Sequence, residues 1–222
     1  MPRKTRSYQL EQSLVYHVIN RGIIRQTIFH DEDDMKQFIS LIKRYQGKFD
    51  FNIYHWCLMN NHYHLLMKLA NSKDLSKIIG AIQQIYAGYH HKRYQTAGRL
   101  FQSRFKSQTI EKSDYLLACG RYIERNPVRA NLVQTPWEWE WSSARYYALC
   151  QKDGITEDDT EWIDMRWSKE EYQNWLLEGE KAREDEKFFC SNRSLIVNNE
   201  LSKQLMKVNG RTYLFKRGRT RK

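Results

Sequence analysis

The chain has 222 residues, 41% hydrophobic and 14% aromatic, with a formal net charge of +11 and a pI near 9.4. That composition excludes a disordered chain, and no apolar run approaches a membrane span, so a soluble protein with one main domain and additions is expected. A charge of this sign attracts polyanions, of which nucleic acid is the usual soluble one.

Met1 to Tyr8 is basic but lacks the apolar block of a secretion signal, which predicts a cytoplasmic protein. Residues 14–19, Leu-Val-Tyr-His-Val-Ile, are β-branched and aromatic and predict a strand ended by Arg21-Gly22. After the acidic run Asp31 to Asp34, apolar residues recur at Met35, Phe38, Ile39, Ile42 and Tyr45, a helical period stopped at Gly47. Residues 51–59 and 62–69 predict paired antiparallel strands joined at Asn60-Asn61, residues that tolerate the positive φ of a tight turn. A second helix, capped at Ser72, places Leu75, Ile78, Ile79, Ile82, Tyr86 and Tyr89 on one face. Residues 99–110 return to extended structure.

This order is the split βαβ of an α+β, ferredoxin-like βαββαβ antiparallel sheet, with helices on one face and the other free for a ligand. A third helix over 114–126 begins after Ser113 and ends near Asn126, because Pro127 disfavours helical geometry before it. Two units are expected: 1–150 as the main domain, and 151–222 as a helical extension, with a helix around Lys169 to Lys187 and a basic tail. That tail, with six cations in its last twelve residues, reads equally as a DNA-gripping arm or a solubilising end. Cys57, Cys119, Cys150 and Cys190 form no Cys-x-x-Cys pair, which predicts reduced thiols and argues against a zinc ribbon or a disulfide framework.

In His62-Tyr63-His64, strand alternation sends both imidazoles to one face, where they can hold a divalent metal or be satisfied by ordinary hydrogen bonds. Tyr122 and Asn126, four apart on the third helix, share a face and can serve one site. The apolar face of that helix is Leu116, Leu117, Gly120 and Ile123, which leaves Tyr122 offset from the core. Tyr115, on nearly the same stripe, is its rival as a nucleophile.

Several segments resemble one family, the REP-associated tyrosine transposases of the single-tyrosine HUH group. Leu58-Met-Asn-Asn-His-Tyr-His-Leu-Leu66 is similar to its histidine strand, Tyr122-Ile-Glu-Arg-Asn-Pro-Val-Arg-Ala130 to its tyrosine helix, and Trp141-Ser-Ser-Ala-Arg145 to the motif that follows. Arg21-Gly-Ile-Ile-Arg25 is similar to its first strand-to-helix passage, and the likeness covers roughly residues 10–150. Asn60 departs from it, since many relatives have proline there.

The resemblance implies that His62, His64 and Asn126 ligate Mg²⁺ or Mn²⁺ and that Tyr122 attacks DNA to leave a 5′-phosphotyrosine and a free 3′-hydroxyl. A thiol suits Mg²⁺ poorly, so Tyr115, whose i+4 partner is Cys119, is the weaker candidate. The implied partner is single-stranded DNA bearing hairpins of the REP palindromic kind, with monomer and homodimer both open. Arg21, Arg25, Arg99, Arg104, Lys106 and Arg129 are candidate phosphate contacts, while Phe101, Phe105 and Tyr94 serve either base stacking or the core. Two other readings stand beside this one. One is a zinc hydrolase using His55 and Cys57 on the face of His62 and His64; the other is a non-catalytic nucleic-acid-binding module.

Overall fold

A computed structural model of the chain describes residues 15–110, 113–158 and 167–178, with the side chains of 113–115 outside that description. The elements are β1 (Val15–Arg21), α1 (Glu32–Gln46), β2 (Phe51–Met59), β3 (His62–Leu69), α2 (Leu75–Tyr94), β4 (Lys106–Ile110), α3 (Ser113–Glu124), α4 (Asn126–Arg129), α5 (Ala144–Leu149) and α6 (Lys169–Leu177). The four strands form one sheet in the order β2-β3-β1-β4, every neighbouring pair antiparallel. This is the expected α+β, ferredoxin-like arrangement.

Alternation along the strands sorts the core. Tyr16 and Val18 of β1 and Tyr63, Leu65 and Met67 of β3 meet Phe38 and Ile42 of α1 and Ile78, Ile79 and Ile82 of α2. Helix α1 starts where the Asp31 side chain accepts from the Asp34 amide, and its acidic first turn and basic last turn both suit the helix dipole. Helix α2 is introduced differently from expectation. A 3-10 turn over Ser72–Asp74 precedes it, Asn71 caps that turn, and Ser72 is buried instead of capping.

A bulge between Ile53 and His55 changes what β2 presents. It leaves Ile53 facing α1 and α2 but turns His55, Cys57 and Met59 to the opposite face, where they oppose Leu66, His64 and His62. That opposite face is not free. Helix α3 packs on it, burying Leu116, Cys119, Tyr122 and Ile123 against Tyr54, Cys57, Met59 and Leu66. Tyr122, expected outside the apolar stripe, is therefore 4% exposed. A wheel drawn for one buried face does not describe α3, because the sheet covers one of its sides and α6 another.

Two further expectations shift. The Asn60-Asn61 turn uses no positive φ; instead its carbonyls accept the Gly22, Ile28 and Phe29 amides, and positive φ falls at Ile24 and Arg25. Beyond Glu124 the chain makes a second short helix, α4, with Pro127 in its first turn, where a missing N–H costs nothing.

The packed unit also runs past residue 150. Ile155 joins the main core, Thr156 bridges to Ile53, and Asp153 accepts from the Trp56 indole. Helix α6 opens with a reciprocal Ser168–Glu171 capping box and ends at Leu177; the remainder of the helix expected to Lys187, the basic tail and Cys190 lie outside the described residues. Cys57, Cys119 and Cys150 are unbridged thiols. Among the described residues no helix is long and apolar enough to cross a membrane.

Candidate active site

Three cross-strand rows build the floor of the site. Met59, His62 and Arg21 form one; Cys57, His64, Ile19 and Lys106 the next; His55, Leu66, His17 and Gln108 the third. Residues directly opposed across a ladder share a sheet face, so His62, His64, His17, Arg21 and Lys106 all lie on the side that α3 covers. The His62 and His64 rings meet edge to face with centroids 5.1 Å apart.

Each imidazole is oriented from behind. His62 Nδ1 lies 2.6 Å from Asn61 Oδ1, an acceptor, so the ring proton sits on Nδ1 and the lone pair on Nε2. His64 Nδ1 lies 2.9 Å from His17 Nε2, with the two rings stacked at 5.2 Å. Burial lowers the His17 pKa to about 4, which keeps this imidazole neutral and able to accept the His64 Nδ1–H. Sequence reasoning missed His17. Its signal was a lone histidine in an apolar strand, which becomes meaningful only once β1 is known to lie beside β3.

Helix α3 brings Tyr122 over this floor. Its ring stands edge-on to His64 at 5.6 Å and to His17 at 5.9 Å, while the Arg129 guanidinium lies 5.0 Å over its face. Asn126 is buried at the α3–α4 junction, its Nδ2 donating to the Tyr122 and Ile123 carbonyls and its Oδ1 accepting from Arg129 at 3.4 Å. Spending both amide hydrogens on carbonyls leaves Oδ1 as the atom that Asn126 offers to a ligand. Imidazole nitrogens and an amide oxygen are donor types that fit a hard divalent cation with open coordination positions.

Behind the tyrosine, Glu124 is fully buried and accepts from His55 Nδ1 at 2.8 Å, Ser143 Oγ at 2.7 Å and Tyr172 Oη at 2.8 Å. It ties α3 to β2, to the start of α5 and to α6, and sequence reasoning missed it too. His55 and Cys57 do share the face of the histidine pair, as the hairpin register requires. His55, however, is committed to Glu124, while burial and then the Glu124 charge push the Cys57 thiol well up. Among the described residues no group of three His, Cys, Asp or Glu side chains is disposed to hold a metal.

Of the candidate DNA contacts, Arg25, Arg99, Arg104 and Lys106 are exposed, Arg21 is half-buried and bonded to Gln102, and Arg129 is held on Tyr122. The aromatics serve packing: Phe105 is in the core, Phe101 leans on it, and the Tyr94 hydroxyl donates to Asp34. The side chain of Tyr115 lies outside the described residues.

Residues 11–126, just over half of the chain, match the family described as "Transposase IS200 like". The chain belongs to the IS200-like transposase family. No curated protein matches this transposase in sequence. Among solved structures it is similar to a REP-associated tyrosine transposase bound to a REP hairpin, with a TM-score of 0.55 and 19% identity over 72% of this chain and 93% of that one. A crystal structure from Deinococcus radiodurans R1, described as a candidate transposase, matches at 20% identity over 56% of this chain and 97% of that one, with a TM-score of 0.35. The likeness to the first supports the shared fold; the family match makes this a DNA-transposing protein.

Proposed function

We propose that this transposase nicks and rejoins single-stranded DNA through a 5′-phosphotyrosine, with Tyr122 as nucleophile and a divalent cation, Mg²⁺ or Mn²⁺, held by His62, His64 and Asn126. The observation that carries the reading is the Tyr122 ring standing 5.6 Å from the His64 ring on the face shared by both histidines. Bound there, such an ion would supply Lewis-acid polarisation of a phosphoryl oxygen. Tyr122 Oη attacks the scissile phosphorus; the Tyr–O–P bond forms as the P–O3′ bond breaks, the phenol loses its proton, and the departing 3′ oxygen gains one. Attack by a 3′-hydroxyl reverses the step and restores the phenol, so cleavage and strand transfer share one intermediate.

Arg129, over the tyrosine ring, sets positive charge beside the attacking group. Arg21, Arg25, Arg99, Arg104 and Lys106 contact phosphates, and the partner is single-stranded DNA with hairpins of the kind bound by the solved REP-associated relative. Within one chain the Tyr122 ring already stands 5.6 Å from the His64 ring, so the reading takes the nucleophile in cis. The catalytic unit is the 1–150 region with 151–158 built into it.

The test is incubation with a labelled pool of hairpin-bearing single strands and Mn²⁺ or Mg²⁺, followed by a denaturing gel. Wild type and Tyr115→Phe should trap protein-linked DNA, and Tyr122→Phe should not. Adducts persisting in Tyr122→Phe refute the assignment. Strands bound but never broken would make the chain a binding module, and tight stoichiometric zinc without adducts a hydrolase.

A further inference from the structure

Among the described residues Ile24 is the most exposed large hydrophobic side chain, 90% open to solvent. It stands on a backbone that isoleucine rarely adopts, φ 50° and ψ 28°, and Arg25 follows with φ 62°. Left-handed geometry at a β-branched residue is an outlier, and it persists only where the surroundings impose it.

The surroundings here are explicit. The Gly22 amide donates to the Asn61 carbonyl, the Ile23 amide to the Leu100 carbonyl, and the Gln26 amide back to the Ile23 carbonyl. Asn61 Nδ2 donates to the Arg25 carbonyl, and Gln26 Nε2 to that of Leu100. A Cβ at Gly22 would lie 2.2 Å from the Gln26 carbonyl oxygen, so this close return of the chain requires glycine. The loop is thus fastened on one side to the turn that leads directly into His62, and on the other to the segment carrying Arg99 and Arg104. An ordered loop, fastened to the turn before His62, holds an apolar side chain in solvent, with the exposed Arg25 next to it in sequence.

We infer that Ile24 is an apolar wedge that packs against an unpaired base of the DNA strand entering the His62–His64 site, an inference that rests on the single-strand DNA reading above. The pairing of groups matches a nucleotide. Arg21 and Arg25 flank the isoleucine in sequence, and Arg99 and Arg104 lie on the adjoining segment, so cations are available for phosphates while the alkyl group meets a base face. Aliphatic side chains are used in this way where proteins unstack bases. A hydrophobic protein partner would gain nothing from the exposed arginines Arg25, Arg99 and Arg104. The wedge sits three residues past Arg21, the ladder partner of His62, so the base it meets lies close to the scissile phosphate.

Ile24→Gly removes the side chain and accepts the left-handed backbone, Ile24→Asn tolerates that backbone but is polar, and Ile24→Leu keeps an apolar group. The measurement is binding of a hairpin-bearing single strand carrying 2-aminopurine at each unpaired position in turn, as a function of salt. Wild type should change the fluorescence at one position. Ile24→Gly and Ile24→Asn should abolish that change and weaken binding about tenfold, with the salt dependence intact because no charge is lost. Ile24→Leu should stay within about threefold of wild type. Arg25→Gln should instead reduce the salt slope by about one phosphate contact. Unaltered binding and fluorescence in Ile24→Gly would overturn the wedge while leaving the DNA reading in place. A wild-type protein that binds no single strand overturns both.

Discussion

His17 Nε2 lies 2.9 Å from His64 Nδ1, so the residue that orients one of the paired imidazoles comes from a different strand, 47 positions earlier in the chain. In the tautomer in which His64 Nδ1–H donates to the neutral His17, the His64 lone pair lies on Nε2, the atom a cation would use. Removing such a supporting acceptor typically costs 10–100-fold in metal affinity. His17→Ala should therefore raise the Mn²⁺ concentration needed for half-maximal adduct formation by about that factor, with little change in strand affinity measured without metal. His17→Gln, which keeps an acceptor, should recover part of the loss. An unchanged metal requirement in His17→Ala would show that the contact is only packing.

This pair also marks where the sequence stopped being legible. Local signals were sufficient for β2, β3 and their two-residue connection, for α1 and α2, and for the common face of His62 and His64, because strand alternation needs only neighbouring residues. His17 was opaque because its meaning depends on β1 inserting between β3 and β4, a non-local fact. Tyr122 was misplaced for a related reason: a helix packed between a sheet and a later helix has no single apolar stripe. Glu124 carried no signal of its own, because one of the groups that give it meaning, Tyr172, lies 48 positions later.

Gly120 sets how closely α3 approaches the sheet. A Cβ there would lie 2.7 Å from His55 Cε1 and Nε2, atoms of a buried ring held in place by Glu124. Neither side can yield cheaply, so Gly120→Ala should push α3 outward and carry Tyr122, two residues on, away from His64. Overpacking of this kind costs about 1–3 kcal/mol, and a displacement of about 1 Å can cost about 100-fold in rate. Urea unfolding should show the first, and a fall in adduct formation with near-normal strand binding the second. Equal losses in binding and cleavage would argue against displacement of the tyrosine alone.

The buried Glu124 carboxylate accepts from three elements at once, so its loss strands three donors. Glu124→Ala should destabilise the fold by about 3–5 kcal/mol, and Tyr172→Phe, which removes one donor, by about 1 kcal/mol. Arg121, with its guanidinium 4.5 Å over Trp175, and Arg125, bonded to the Leu176 carbonyl, hold α6 against the same helix. A double-mutant cycle between Glu124→Gln and Tyr172→Phe, read from urea midpoints, should therefore show coupling of about 0.5–3 kcal/mol. Strict additivity would mean that α6 does not depend on this carboxylate.

Asp34 gives the fold a distinct acid signature. Burial raises its pKa, but the His30 amide, the Tyr94 and Tyr89 hydroxyls and Arg93 together outweigh burial and hold the carboxyl below its ordinary value. A depressed folded-state pKa means that the unfolded chain takes up the proton first as acid is added. The carboxylate's contribution is therefore complete above the unfolded value of about 3.9 and is lost as pH falls through the lower folded one. Asp34→Asn should be less stable than wild type at neutral pH, and the gap between their urea midpoints should close as pH falls below the unfolded value of about 3.9. Since the Asp34 side chain is fully buried, added salt should leave the neutral-pH gap nearly unchanged. A gap that stays constant down the acid limb would show that Asp34 contributes shape rather than charge to the contact between α1 and α2.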